Sequence, residues 1–167
     1  MTFILTTLNS AIRLTTPIAY VTIAAVIMEK SGINALAMEG IMLIGSFGAV
    51  LGSYLFGSPW AGVIAAVFFS VMASTVRAWL CIRHEANQTV SGIGMNIFVA
   101  GATAMLVKVI WGQSGKSDVV SSLTDWTIPG INKIPLLGDL LGKQNPLVYI
   151  LIVIIPICWI LMNKKAF

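Results

Sequence analysis

The sequence predicts an all-α integral membrane protein, a bundle of about five transmembrane helices joined by one long loop that carries short helices. Hydrophobic residues make up 57% of the 167 residues, whereas only 10% are charged. A soluble domain carries about 25% charged residues, so this chain cannot cover a water-facing surface. Its apolar runs are long enough for helices that cross a bilayer. Together these observations exclude a soluble enzyme.

The apolar runs follow one another along the chain with short polar breaks between them. Residues 1–13 alternate apolar residues with Thr, Asn and Ser, which suits a helix that lies in the membrane interface or extends the first span. Four transmembrane helices are predicted over residues 14–111, because Gly, Pro or charged residues end each run. Residues 112–146 are more polar, and a connection this long predicts short helices on the membrane surface. A fifth transmembrane helix is predicted within residues 147–167.

Small residues at four-residue spacing predict close contacts between these helices. The pairs and triplets with this spacing are Gly48 and Gly52; Gly45, Ala49 and Ser53; Ala61 and Ala65; Ser70 and Ser74; Ala100 and Ala104. The pattern indicates a bundle but identifies no function.

The charges point to a membrane rather than to a nucleic acid. The net charge is +4, but the cations stand singly beside apolar runs, so the predicted partner is the lipid bilayer and no nucleic acid is expected. No nucleophile motif, phosphate-binding loop or paired carboxylates are present, and His84 has no metal-ligand partner at a suitable spacing. We therefore expect no metal site and no cofactor in this chain. The ten cations divide evenly between the two membrane faces, so charge alone does not fix the orientation.

Glu39 lies within an apolar run, where a carboxylate at membrane depth costs about 2.5 to 3.5 kcal/mol. One interpretation is that Glu39 faces a water-filled path, or fixes the broken start of a helix that lines one. The other places Glu39 in the first turns of the second helix, with Asn34 as the cap and with Lys30 or solvent nearby. Both interpretations remain open from the sequence.

A second set of polar side chains stands at the start of the fourth predicted span. Its members are Asn87, Gln88, Ser91 and Asn96. Local capping of the helix explains the first three, but a buried amide at position 96 needs a partner elsewhere. Arg77 and Lys108 lie near span ends and are expected to snorkel to the interface.

Three segments of the chain resemble one family. These are residues 29–45 (EKSGINALAMEGIMLIG), residues 86–92 (ANQTVSG) together with Asn96, and more weakly the Pro- and Gly-containing segments within residues 128–147. They are similar to the permease subunits of bacterial ATP-binding cassette (ABC) importers for simple sugars and nucleosides, of the ribose type and linked to basic membrane lipoproteins. In that family the first segment opens a helix beside the translocation path.

The resemblance implies a permease subunit that moves a nucleoside or a simple sugar by alternating access. A separate ATPase subunit would bind ATP and Mg²⁺, and the other partners would be a second permease subunit and an external substrate-binding lipoprotein. The implied residues of the path, or of its supports, are Glu39, Asn87, Gln88, Ser91 and Asn96. Asn34 is a further candidate, although its spacing to Glu39 differs by one residue from the family pattern.

Members of this family are roughly twice as long, so the resemblance implies the amino-terminal half of a permease, ending where a cytoplasmic coupling segment would begin. It also implies a bacterial cell membrane location, with the amino terminus outside, residues 112–146 external and the carboxyl end cytoplasmic. The residues themselves are also compatible with a protein of a different functional class. A small helical membrane protein that assembles a complex without transporting anything would show the same hydropathy.

Overall fold

The computed structural model describes residues 2–112, 115–121, 123–124, 126–127 and 143–163. The helices in these residues are α1 (Thr2–Lys30), α2 (Met38–Phe56), α3 (Pro59–Arg83), α4 (Gln88–Trp111) and α5 (Pro146–Asn163). A 3₁₀ turn, Ala35–Ala37, precedes α2, and the short strands β1 (Trp126–Thr127) and β2 (Lys143–Gln144) pair antiparallel.

Four helical segments in the described residues are long and apolar enough to cross a membrane. They are Thr7–Lys30, Ala35–Phe56, Pro59–Arg83 and Gln88–Trp111, and α5 adds a shorter apolar segment, Pro146–Ile160. The predicted all-α bundle of about five helices is confirmed, and the chain is a multi-pass membrane protein.

The first predicted boundary, at residue 14, does not coincide with a helix start. Helix α1 begins at Thr2 and continues past Pro17 to Lys30, so residues 2–13 are its first turns and not a separate element. How deeply those turns enter the bilayer stays a prediction. The short helices expected in the long loop fall mainly on residues 128–142, which lie outside the described residues.

The chain divides into two compact units, of which the first contains residues 1–31 and 123–167. Within this unit α1 and α5 contact each other through hydrogen bonds to backbone carbonyls. The Tyr20 hydroxyl donates to the Leu147 carbonyl at 2.7 Å, and the Lys30 ammonium donates to the Met162 carbonyl at 3.4 Å. The Met162 carbonyl lies in the last turn of α5, where carbonyls lack a helical partner, and the Leu147 carbonyl lies in the first turn.

The second unit, residues 32–122, contains α2, α3 and α4. Helices α2 and α3 form a hairpin whose turn begins at Gly57, which has a φ of +61° and ends α2 in the left-handed conformation. The two helix backbones approach closely along small residues. A Cβ atom on Gly52 would lie 2.5 Å from the Ala65 Cβ, and one on Gly62 would lie 2.7 Å from the Ala49 carbonyl oxygen.

The predicted close contacts are therefore confirmed where α2 meets α3. For the last predicted pair the close contact stays a prediction; Ala100 and Ala104 are exposed and line a cavity beside α2.

Candidate functional site

The backbone is not α-helical between the end of α1 and the start of α2. Residues 31–34 form a turn and an extended stretch, with Gly32 at a φ of +77°, and the 3₁₀ turn Ala35–Ala37 follows. This turn opens the membrane-capable segment Ala35–Phe56. Non-helical backbone at membrane depth is tolerated only where protein or a water-filled cavity satisfies its polar groups. The partners of residues 34–40 are consequently the first feature of the site.

The side-chain amide of Asn96, on α4, accepts one hydrogen bond through its oxygen and donates one through its nitrogen. Its Oδ1 accepts a hydrogen bond from the Gly40 backbone N–H at 2.8 Å. Its Nδ2 donates to the Leu36 carbonyl at 2.9 Å. The sequence-based expectation that this amide needs a partner is confirmed, and the partners are backbone groups at the start of α2.

Gln88 and Arg77 hold the backbone of Asn34 from two helices. The Asn34 N–H donates to the Gln88 Oε1 at 2.9 Å, and the Arg77 guanidinium donates to the Asn34 carbonyl at 2.6 Å. The expectation that Gln88 caps α4 is wrong, because its side chain reaches this other segment. The hydrogen bonds from Gln88, Asn96 and Arg77 to residues 34–40 are called the α2-start contact below.

Glycines allow the α2-start contact to be close. Gln88, Gly92 and Asn96 follow one another at four-residue spacing and share one face of α4. A Cβ atom on Gly92 would lie 3.1 Å from the Leu36 Cβ, and one on Gly40 would lie 2.8 Å from the Asn96 Oδ1. A side chain at either glycine would push the two segments apart and lengthen the hydrogen bonds.

Asn87 and Ser91 lie on the neighbouring face of α4. Asn87 is the N-cap residue, and its Oδ1 accepts from the backbone N–H groups of Thr89 at 2.9 Å and Val90 at 3.3 Å. Local capping is thus confirmed for Asn87. Ser91, one turn further on, lines a cavity together with Asn87.

Glu39 is exposed in the first turn of α2, the position that one of the two interpretations gives it. That interpretation is wrong about Asn34, whose side chain makes no capping hydrogen bond and which precedes the 3₁₀ turn. The candidate residues therefore separate into three groups. Gln88, Asn96 and the Asn34 backbone meet, Asn87 and Ser91 line the cavity, and Glu39 is exposed beside Gly40.

Two of the cavities among the described residues lie within the second unit. The larger, of about 580 Å³, is partly open to the surface and is lined by α3, by the start and middle of α4 and by Ile44 of α2, mainly with apolar side chains and with Arg77, Asn87 and Ser91 as polar members. The smaller, of about 360 Å³, lies between α2 and α4 beside the edge-to-face rings of Phe47 and Trp111, whose centroids are 6.4 Å apart.

Arg77 is the residue of the α2-start contact that was not among the candidates predicted from the sequence. It is only 4% exposed, so the expectation that it snorkels to the interface is wrong, whereas Lys108 is exposed. One feature of the sequence does point to burial of Arg77, because it stands within an apolar run, six residues before Arg83. Gly40 and Gly92 were also missed, although both stand inside the segments that carry the family resemblance.

Comparisons with known proteins agree with the expected permease. Residues 7–167 match the family described as branched-chain amino acid transport system / permease component. The guanosine ABC transporter permease protein NupQ of Bacillus subtilis is 31% identical over 158 residues, which is 90% of this chain and 50% of that protein. The nucleoside ABC transporter permease protein NupC of Lactococcus lactis is 27% identical over 159 residues, 91% of this chain and 50% of that protein.

A relative from Haloferax volcanii, provisionally named a glucose ABC transporter permease protein, is 23% identical over 169 residues, 99% of this chain and 50% of that protein. No solved structure is significantly similar. The chain spans about half the length of these curated relatives. With the family match covering nearly its whole length, the chain belongs to the family of ABC transporter permease components.

Proposed function

We propose that this chain forms part of the translocation path of an ABC importer for a nucleoside or a simple sugar. Its role in the proposal is not enzymatic, because a separate ATPase subunit binds ATP and Mg²⁺ and performs the hydrolysis. The names of the relatives support the solute class, and they give no support to a non-transporting scaffold. Within the chain, the observation that carries the proposal is the hydrogen-bonded break before α2.

Broken helices are where many transporters bind polar solutes, because the break frees backbone groups inside the membrane. Here each described bond of the α2-start contact joins a side chain to the backbone of residues 34–40. Hydrogen bonds between transmembrane helices contribute about 0.6 kcal/mol each on average, so such a contact can exchange partners during alternating access.

The proposal gives the candidate residues different roles. Asn96 and Gln88 support the backbone of the path, and Asn34 contributes its backbone groups. Asn87 and Ser91 keep the start of α4 ordered beside the larger cavity. Glu39, exposed next to the break, is the group available to a polar solute or to a neighbouring subunit.

The proposal is tested by measuring solute uptake in a host from which the gene for this chain has been deleted. Uptake of labelled guanosine, glucose and leucine is measured with and without the wild-type chain, so that the solute named by the family description is included. We expect guanosine or glucose uptake to depend on the chain and leucine uptake not to. Dependence of leucine uptake alone would contradict the solute class, and no dependence for any solute would favour the scaffold.

Orientation is tested with single cysteines, because the proposal places the amino terminus outside, the loop after α4 outside and the carboxyl end in the cytoplasm. Lys116→Cys, in that loop, should react with a membrane-impermeant maleimide in intact cells. Arg83→Cys, at the end of α3, should react only after permeabilisation. The reverse pattern would overturn the orientation without affecting the proposed solute class.

The proposed partners are an ATPase subunit, a second permease subunit and an external substrate-binding lipoprotein. Copurification of a tagged chain with an ATPase and a lipoprotein would support them. Recovery of the chain with neither, from membranes that show chain-dependent uptake, would contradict them.

A further inference from the structure

The larger cavity is polar at one end and apolar at the other. Its lining includes Ala86 and Asn87 just before α4 and then runs along α4 from Val90 to Val99, nine residue steps or about 14 Å of helix. The polar lining residues Arg77, Asn87 and Ser91 lie toward the start of α4 and the end of α3, whereas Phe98 and the remaining deep positions are apolar. The cavity is therefore amphipathic along its length.

Arg77 brings a positive charge to the polar end that nothing in the described residues neutralises. Its side chain is 4% exposed and donates to an uncharged carbonyl, while its Nε is buried without a hydrogen-bond partner. No carboxylate among the described residues forms an ion pair with it. A buried cation without a counter-ion is strongly unfavourable, so the site calls for an anion.

The apolar remainder of the cavity limits what that anion is. A nucleoside or sugar is uncharged, so it does not supply the anion that the Arg77 guanidinium lacks. A hydrocarbon chain is slender, and the cavity length is close to the thickness of one leaflet, about 15 Å of hydrocarbon.

We propose that this cavity binds one anionic phospholipid. Its phosphate pairs with the Arg77 guanidinium, and one acyl chain lies between α3 and α4 toward Phe98. Arg77 is six residues, or about 9 Å along the helix, inward from Arg83 at the end of α3. The headgroup therefore sits close to that membrane face, where basic pockets between helices bind anionic lipids. The inference does not depend on which solute is transported.

Two glycines of α4 offer a matched test. A Cβ atom on Gly94 or on Gly101 would meet nothing within 4 Å, so a side chain can begin at both positions without a backbone clash. Gly94 lines the cavity and Gly101 does not. Gly94→Phe should block the acyl chain, while Gly101→Phe makes the same change outside the cavity.

The experiment is native mass spectrometry of the 167-residue chain in detergent, with equal amounts of phosphatidylglycerol and of a diacylglycerol that has the same acyl chains but no phosphate. We expect one retained phosphatidylglycerol per chain, with a preference over the diacylglycerol of about tenfold or more, the range of a charge-assisted hydrogen bond. Gly94→Phe should lose this lipid, and Gly101→Phe should keep it. Arg77→Gln should retain either lipid without preference, with circular dichroism showing that it remains helical.

Several results would overturn the proposal. Equal retention of the two lipids by the wild type would remove the role of Arg77. Loss of the lipid in both glycine variants, or in neither, would place it outside the cavity. Glycerol phosphate that displaces the lipid completely at equal concentration would show an anion site without an acyl chain. A wild-type dimer that Gly94→Phe dissociates, with no lipid bound, would show that a second copy covers the cavity.

Discussion

Helix α2 makes two contacts of opposite chemistry in the second unit. Against α3 it packs through small residues, so closely that a Cβ atom on Gly52 would lie 2.5 Å from the Ala65 Cβ. At its start it is held by side-chain hydrogen bonds from α3 and α4, including both bonds of Asn96. The first contact consists of van der Waals packing, and the second consists of directional polar bonds.

The difference between the two contacts indicates which of them can open when the second unit changes conformation. Packed backbones lose many dispersion contacts at once when they separate, since close packing falls off steeply with distance. A hydrogen bond can instead be replaced by another donor or acceptor, including water or a solute. We therefore expect α2 and α3 to move together, and the start of α2 to exchange its partners on α4.

The largest effect is expected from widening the packed contact. Gly52→Leu places a side chain against the Ala61 carbonyl and the Ala65 Cβ. The free energy of unfolding in detergent, measured by SDS titration, should fall by about 3 kcal/mol. Gly101→Leu, where the added atoms meet open space, is the control and should change it little. Equal stability of the two variants would mean that the α2–α3 contact is not tight.

A smaller loss of stability but a larger loss of uptake is expected from Asn96→Leu. The substitution keeps the side-chain size and leaves the Gly40 N–H and the Leu36 carbonyl without their partners. The free energy of unfolding should fall by about 2 kcal/mol. Uptake of labelled solute, normalised to the amount of chain in the membrane, should fall to background. Normal uptake at reduced stability would make the α2-start contact purely structural.

Gln88→Met removes one hydrogen bond, the one to the Asn34 N–H, and preserves the length of the side chain. The free energy of unfolding should fall by about 0.6 kcal/mol, the average for one such bond between transmembrane helices. Uptake should be reduced but measurable, because Arg77 still holds Asn34 by its carbonyl. A loss of stability as large as that of Asn96→Leu would contradict this ranking.

The smallest effect on stability is expected from Glu39→Gln, because Glu39 is exposed. The free energy of unfolding should change by less than about 0.5 kcal/mol. Uptake should nevertheless fall several-fold if the carboxylate serves the path. Unchanged uptake would remove Glu39 from the proposed path and leave the interpretation in which it only complements the positive end of α2.

The sequence was sufficient for the spans, because length and hydropathy are set by the bilayer and need no knowledge of tertiary contacts. It also predicted that glycine and alanine at four-residue spacing would bring helices close, which holds between α2 and α3. Ala100 and Ala104 have the same spacing but line a cavity, because spacing does not say which helix faces them.

The site was less predictable because its partners are backbone groups far away in the chain. The need of Asn96 for a partner was visible, but Leu36 and Gly40 are 60 and 56 residues away and offer only a carbonyl and an N–H. Asn87 takes the capping position, which leaves Gln88 free to reach Asn34. The burial of Arg77 depends on a tertiary acceptor that no local pattern contains.

Synthesis of the chain separates the α2 start in time from the residues that supply its hydrogen bonds. Residues 34–40 leave the ribosome before Arg77, Gln88 and Asn96, which supply their hydrogen bonds. The α2–α3 hairpin, by contrast, contains all the partners of its own close packing and can enter the bilayer as a pair. With α3 inserted, the segment gains only the bond from Arg77. We therefore expect the α2 start to reach its final conformation after α4, which supplies the other three hydrogen bonds, has entered the membrane.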